Sequence, residues 1–246
     1  MQEINVIKFK TEGILNSYRI PFFRMYHKTF LSPPKTNIVG MISNICGKSE
    51  EWYYTALKED YFKVAVVIDG IQGKCKDLWK FKTVKKSAPK DGSELEARGG
   101  SIVRREKLYK SSYTVYIHGT DEDMNKMVME ALKHPRSVPS LGMDDEIIRI
   151  YSVEGKTLKR STKNTINSVF IDEGIKYRVR FTKYQDIELP IKNVVPLKYS
   201  VQFTKHGRTL RKVLQEGKQV EYLNCEIEMP YDSEIYEDEN NRVVFC

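Results

Sequence analysis

Apolar positions along this chain change period several times, and each change marks an element. Glu3 to Lys10 alternates, with Ile4, Val6 and Lys8 against Asn5, Ile7 and Phe9, which predicts a buried first strand. After an aromatic and basic stretch from Tyr18 to Phe30, the period lengthens. Ile38, Met41, Ile42 and Ile45 fall at i, i+3, i+4 and i+7, one face of a helix, with Ser32 expected as its N-cap, Pro33 at its first position and Gly47 at its end. Ser49 is expected to cap a second helix through Trp52, Tyr53, Ala56 and Leu57. Phe62 to Asp69 reads as a continuous apolar strand and Leu78 to Val84 as another. Ser87 to Ser101, with Pro89, Asp91-Gly92 and Gly99-Gly100, reads as a loop or hairpin tip. Glu106 to His118 returns as a strand. Thr120 is expected to cap a helix faced by Met124, Met127, Val128, Ala131 and Leu132, stopped at His134-Pro135, and Glu146 to Val153 closes the series as a strand.

That order, β-α-β-β-α-β, predicts an α+β fold: a ferredoxin-like (RRM-like) domain over 1–155 whose middle strands carry a long basic hairpin, about 74–112. Beyond it, strands are expected at Asn167–Asp172, Ile175–Phe181, Val195–Thr204, Gln219–Met229 and Arg242–Cys246, interrupted by Pro190, Pro196 and Pro230. Residues 156–246 are therefore read as a smaller, mostly β C-terminal lobe.

Charge sharpens this picture. The chain has 246 residues, 40% of them hydrophobic, and a net charge of +8. The surplus is polarised: Lys74 to Lys110 holds twelve Lys/Arg against five Asp/Glu, whereas Glu226 to Cys246 holds seven acids against one Arg. A basic segment of that density suits a polyanion. The acidic tail reads as a solvating or docking surface. No apolar run approaches the roughly 20 residues of a membrane helix, and no signal-peptide pattern opens the chain. Four scattered cysteines, with no CxxC, argue for a reducing cytoplasm and against zinc or disulfides.

Catalytic patterns are sparse. No Walker loop, GxGxxG, GxSxG or HExxH occurs, and the four histidines are isolated. Asp144-Asp145-Glu146 reads as solvation at a strand start. Tyr26-His27-Lys28 and Lys107 with Tyr109-Lys110 have the residue types of a metal-independent endoribonuclease. RNA binding is read more directly. Lys85, Lys86, Lys90, Arg98, Arg104, Arg105, Lys107 and Lys110 interleave with Tyr109 and Tyr113. Arg19, Arg24 and Lys28 mix with Phe22, Phe23, Tyr26 and Phe30. Lys35-Thr36-Asn37 would open a helix whose free N–H groups bind phosphate. An RRM-like RNA chaperone is the blander alternative.

Two segments carry a resemblance. Ser32-Pro-Pro-Lys-Thr-Asn-Ile-Val-Gly40 resembles the PPxSxxxG helix start, and Pro139-Ser-Leu-Gly142 the YPLYLGRSE glycine loop, of the Cas-five family of CRISPR-associated RAMP proteins. The length and β-rich second half look most like the type I-B branch. The resemblance implies a thumb hairpin at Lys85 to Lys110. It also implies a cofactor-free, non-catalytic Cascade subunit that binds the crRNA 5′ handle, contacts the backbone and large subunits, and meets target DNA through the assembled complex. Carried over by position, Ser32, Pro34, Lys35, Thr36 and Asn37 would line the handle site, and Ser140, Leu141 and Gly142 would approach the RNA backbone. Met143 stands where the family usually has Arg.

Overall fold

The structure, a computed structural model, describes residues 3–21, 23, 26–84, 97–172, 174–180, 191–203, 209–213, 218–221 and 226–246. At 81–84, 97–101, 172, 191–194, 199–203, 209–213 and 218–221 it is described by backbone alone. Four long strands carry the architecture: β1 (Glu3–Asn16), β2 (Phe62–Val84), β3 (Ala97–Gly119) and β4 (Ile148–Arg160). Helices α1 (Lys35–Ile45) and α2 (Glu50–Lys58) lie between β1 and β2, and α3 (Glu122–Lys133) between β3 and β4. The strands lie side by side as β4-β1-β3-β2, every pair antiparallel.

Alternation along β1 feeds two cores, because successive strand residues point to opposite faces. Ile7 and Phe9 join Ile38, Ile42, Ile45, Leu57, Val115 and Val128 on the helical face. Val6 joins Ala65, Val67, Tyr116 and Leu158 on the other, where Tyr236 and Val243 cover it.

Several expected boundaries move. The two strands expected at Phe62–Asp69 and Leu78–Val84 are one 23-residue strand. Its partner runs back to Ala97, pairing from Phe62↔Gly119 to Val84↔Ala97 with register shifts at Ile68/Gly70 and Lys82/Val84. The polar middle, Lys74 to Asp77, belongs to a two-stranded ribbon with little core beneath it, so no apolar alternation marks it. Residues 87–96 of the expected loop lie outside the described residues.

Ser32 is not the cap of α1. Pro34 is, at φ −61° and ψ 160°. A proline bars the residue before it from helical angles, so Pro33 cannot start the helix ahead of Pro34. Asp121, not Thr120, caps α3, its side chain accepting from Met124 N at 2.7 Å. β4 starts at Ile148 rather than Glu146 and runs through position 155 to Arg160.

In the second half, the strand expected at Val195–Thr204 shortens to Tyr199–Phe203 after buried Pro196, with an unexpected strand, Ile191–Val194, ahead of it, and Gln219–Met229 divides into Lys218–Glu221 and Glu226–Glu228. The acidic tail is not a solvated extension. Tyr236–Glu237 pairs with β4 and with Arg242–Val243, which widens the main sheet.

Candidate nucleic-acid interface

The site begins where α1 does. Pro34 supplies no side-chain cap, and the first turn contains no acid. Asn37 N and Ile38 N donate to Pro34 O at 2.9 and 3.1 Å. The amides before them have no partner within the helix, and nothing acidic in that turn offsets the helix's positive end. Tyr53 of α2 packs beside Gly40, and its hydroxyl donates to Thr36 O at 3.3 Å.

The second component is the loop before β4. Leu141 N donates to Glu146 O at 3.0 Å and Ile148 N to Pro139 O at 3.1 Å, closing a tight turn. Leu141 is 1% exposed and anchors that turn in the core. Gly142 has φ +118°, and a Cβ there would stand 2.6 Å from the carbonyl oxygen of Ser17. Only glycine fits both demands.

Beneath the loop, Glu146 is 1% exposed. Its Oε2 accepts from Ser17 N at 2.7 Å and from Met143 N at 3.1 Å, and its Oε1 from Ser17 Oγ at 2.6 Å. The Lys107 ammonium, on β3, completes the arrangement at 3.1 Å. This carboxylate was expected at a solvated strand start. It is instead the post to which the loop, the end of β1 and the ribbon are tied.

Between α1 and this loop runs a groove of about 730 Å³, lined by Thr36, Asn37, Asn44, Tyr53, Ser140 and Gly142 among others. Lys48, Glu50 and Asp144 supply its charges. Thr36 Oγ1 is buried at its wall with no hydrogen-bond partner among the described residues. The lining is polar, with the hydroxyls of Thr36, Ser43, Tyr53 and Ser140 and the amides of Asn37 and Asn44 beside one lysine and two acids.

The model of the family described as CRISPR-associated protein (Cas_Cas5) matches residues 6–209, the groove and the ribbon included. The chain belongs to this family. A chain of a CRISPR RNA-guided surveillance complex superposes with a TM-score of 0.53 at 14% identity, covering 92% of this chain and 91% of that one, which shows a shared fold. A CRISPR protein from Archaeoglobus fulgidus aligns at a TM-score of 0.49 and 10% identity over 98% of each chain. No curated protein matches the sequence.

Within this Cas_Cas5 chain the expected RNA contacts divide. Thr36, Asn37, Ser140 and Gly142 line the groove, while Arg19, Lys28, Arg104, Tyr109 and Lys110 are exposed elsewhere. The remaining described side chains are committed inward. Ser32 and Pro34 are buried, and Leu141 belongs to the core, so its side chain does not face an RNA backbone. The Lys35 ammonium turns to Asp60 at 3.2 Å, and Lys198 joins the same carboxylate. Burial alone would raise the Asp60 carboxyl, but Lys198 and Lys35 hold it below the usual carboxylate range. Arg105 is 7% exposed and is bound by Asp77 through Nη2 at 2.6 Å and Nε at 3.1 Å. Lys107 is held by Glu146. Arg24, Lys85 and Lys86 lie outside the described residues, as does the side chain of Arg98.

Tyr26–His27 pairs in parallel with β3 at Arg104 and Arg105. The Lys107 ammonium is turned into the Glu146 cluster. Among the described residues no group of three His, Cys, Asp or Glu could hold a metal ion, and no helix is long and apolar enough to cross a membrane. Nothing in the local pattern of Asp60, Asp77 or Glu146, the acids that neutralise the expected contacts, marks their partners: Asp60 and Asp77 carry no signal of their own, and Glu146 reads only as the start of a strand.

Proposed function

We propose that this chain is a non-catalytic CRISPR RNA-binding subunit of a type I Cascade interference complex. In this reading it holds the 5′ handle of the crRNA, works in the cytoplasm, and contacts the backbone and large subunits. Target DNA would be met through the assembled complex. One observation carries the reading: Thr36 and Asn37 at the start of α1 and Ser140 and Gly142 in the glycine loop, about a hundred residues later, line the same groove. These are the two segments whose sequences resemble the family's motifs. The β-α-β-β-α-β order with strands laid out as β4-β1-β3-β2 supports reading the domain as ferredoxin-like, with the β2–β3 ribbon as its thumb.

The test uses the purified protein in EDTA with end-labelled RNA carrying a full CRISPR repeat from its own locus, and a scrambled RNA of equal length, on native and denaturing gels. Retention of the uncleaved repeat at about tenfold lower protein than the scramble is the expected result. A discrete cleavage product lost on His27→Ala would replace this reading with a processing endoribonuclease. Equal retention of both RNAs would leave a general RNA-binding protein.

A further inference from the structure

Gly40 occupies the interior of α1, where glycine destabilises a helix relative to alanine. The protein has room for the missing methyl group. Among the described residues, a Cβ at Gly40 would meet Tyr53 Cε2 at 3.6 Å, an ordinary van der Waals contact. Crowding inside the molecule therefore does not account for glycine here. What the absent side chain does is bare the helix backbone to the groove, which Gly40 lines.

Residues three and four positions away share a helix face. Thr36 and Asn37 stand on one side of Gly40, Ser43 and Asn44 on the other, and all four line the groove. Thr36 Oγ1 is buried at its wall with no hydrogen-bond partner among the described residues. Hydroxyls and amides thus frame a bare patch, and such groups read the edge of a flat ring. The volume, about 730 Å³, suits an organic group rather than a single ion. The ionised side chains are Lys48 against Glu50 and Asp144. A phosphate on the patch would face that surplus of acid, whereas a carboxylate accepts readily from an amino group.

We propose that the Gly40 patch of α1 seats an unpaired nucleobase bearing an exocyclic amino group. Its flat face lies on the helix backbone and its edge meets the framing amides and the Asp144 carboxylate. This rests on the RNA-binding reading above and assigns the patch to a base, with Lys48 left for the sugar–phosphate strand. Adenine, cytosine and guanine carry the amino group. Uracil turns carbonyl oxygens toward the acids in its place.

Gly40→Ala tests this, because its methyl group fits the protein but occupies the seat. Single-stranded repeat RNA, intact or with one nucleotide at a time made abasic, is titrated on native gels against wild type and Gly40→Ala, with thermal melts of both proteins. The melting temperature of Gly40→Ala should equal or exceed that of wild type, and its retention of the intact repeat should weaken about tenfold. In wild type, one abasic position should cost as much. In Gly40→Ala that same position should cost nothing further, since base and methyl group compete for one seat. When the four bases are exchanged at that position, uracil should bind wild type most weakly. Undiminished retention by Gly40→Ala, losses that simply multiply, or uracil bound as well as the amino-bearing bases would overturn this inference and leave the RNA-binding reading intact. Failure of the wild-type chain to retain the repeat would overturn both.

Discussion

Lys8 and Asp238, 230 positions apart, meet at 2.7 Å on the sheet face away from the helices. The same carboxylate accepts from the Tyr116 hydroxyl at 2.9 Å and from the backbone N–H groups of Asn240 and Asn241. The acidic tail is thus clamped to β1 and β3. Burial alone would raise the Asp238 carboxyl. The Lys8 ammonium, the two backbone donors and Tyr116 outweigh it and bring the pKa down to about 2.

Removing one partner of so enclosed a pair leaves a buried charge uncompensated. Asp238→Ala should therefore cost about 3 kcal/mol at pH 7 in urea denaturation. The pH dependence has a definite sign. A folded pKa of about 2 lies below the unfolded value of about 3.9, so the contribution is complete above that value and is lost as pH falls toward 2. Wild-type stability should drop more steeply than that of Asp238→Ala between roughly pH 5 and 2. Parallel acid limbs would refute the clamp.

Gly142 and Gly73 offer a paired comparison. An added Cβ at Gly142 meets the Ser17 carbonyl at 2.6 Å and a carboxylate oxygen of Glu146, on a backbone at φ +118°. At Gly73 it meets nothing within 4 Å. Gly142→Ala should cost about 2 kcal/mol and reduce repeat-RNA retention, because the loop must move to admit the methyl group. Gly73→Ala should stay within about 0.5 kcal/mol of wild type. Thermal melts and gels on both variants decide this, and a wild-type-like Gly142→Ala would show that the loop is not held as described.

The start of α3 separates two adjacent residues. Asp121→Ala should cost about 1 kcal/mol, the usual loss of an N-cap, whereas Thr120→Ala should cost a few tenths. Denaturant midpoints that rank them the other way would return the cap to Thr120.

In the groove, Lys48 is a charge within reach of a phosphate, while Lys35 is 5% exposed and bound to Asp60. Lys48→Ala should reduce the slope of log K against log salt by about 0.7 for single-stranded RNA. Lys35→Ala should lower the melting temperature and leave the slope unchanged. Asn37→Ala should weaken retention several-fold at constant melting temperature. Equal salt slopes for Lys48→Ala and wild type would place the phosphates elsewhere.

What could be read along the chain was local. The i, i+3, i+4, i+7 face of α1, the Ser49 cap of α2 and the apolar run of β2 depend on neighbours within one or two turns. All appear in the structure at those residues. The two segments that form the groove, Ser32–Gly40 and Pro139–Gly142, were also visible, through their resemblance to the family's motifs. Residue types alone, however, made Lys35, Arg105 and Lys107 look like phosphate contacts. They are paired instead with Asp60, Asp77 and Glu146. Glu146 lies 39 positions from Lys107, and Asp238 lies 230 from Lys8.

The sequence by itself determined which segments become helices and strands and where the positive charge is concentrated. Only the tertiary structure decided which of those charges face solvent and which are neutralised inside. Periodicity is a property of neighbours along the chain. The partner of a long polar side chain depends on sheet register, and a one-residue shift in register moves that side chain to the other face.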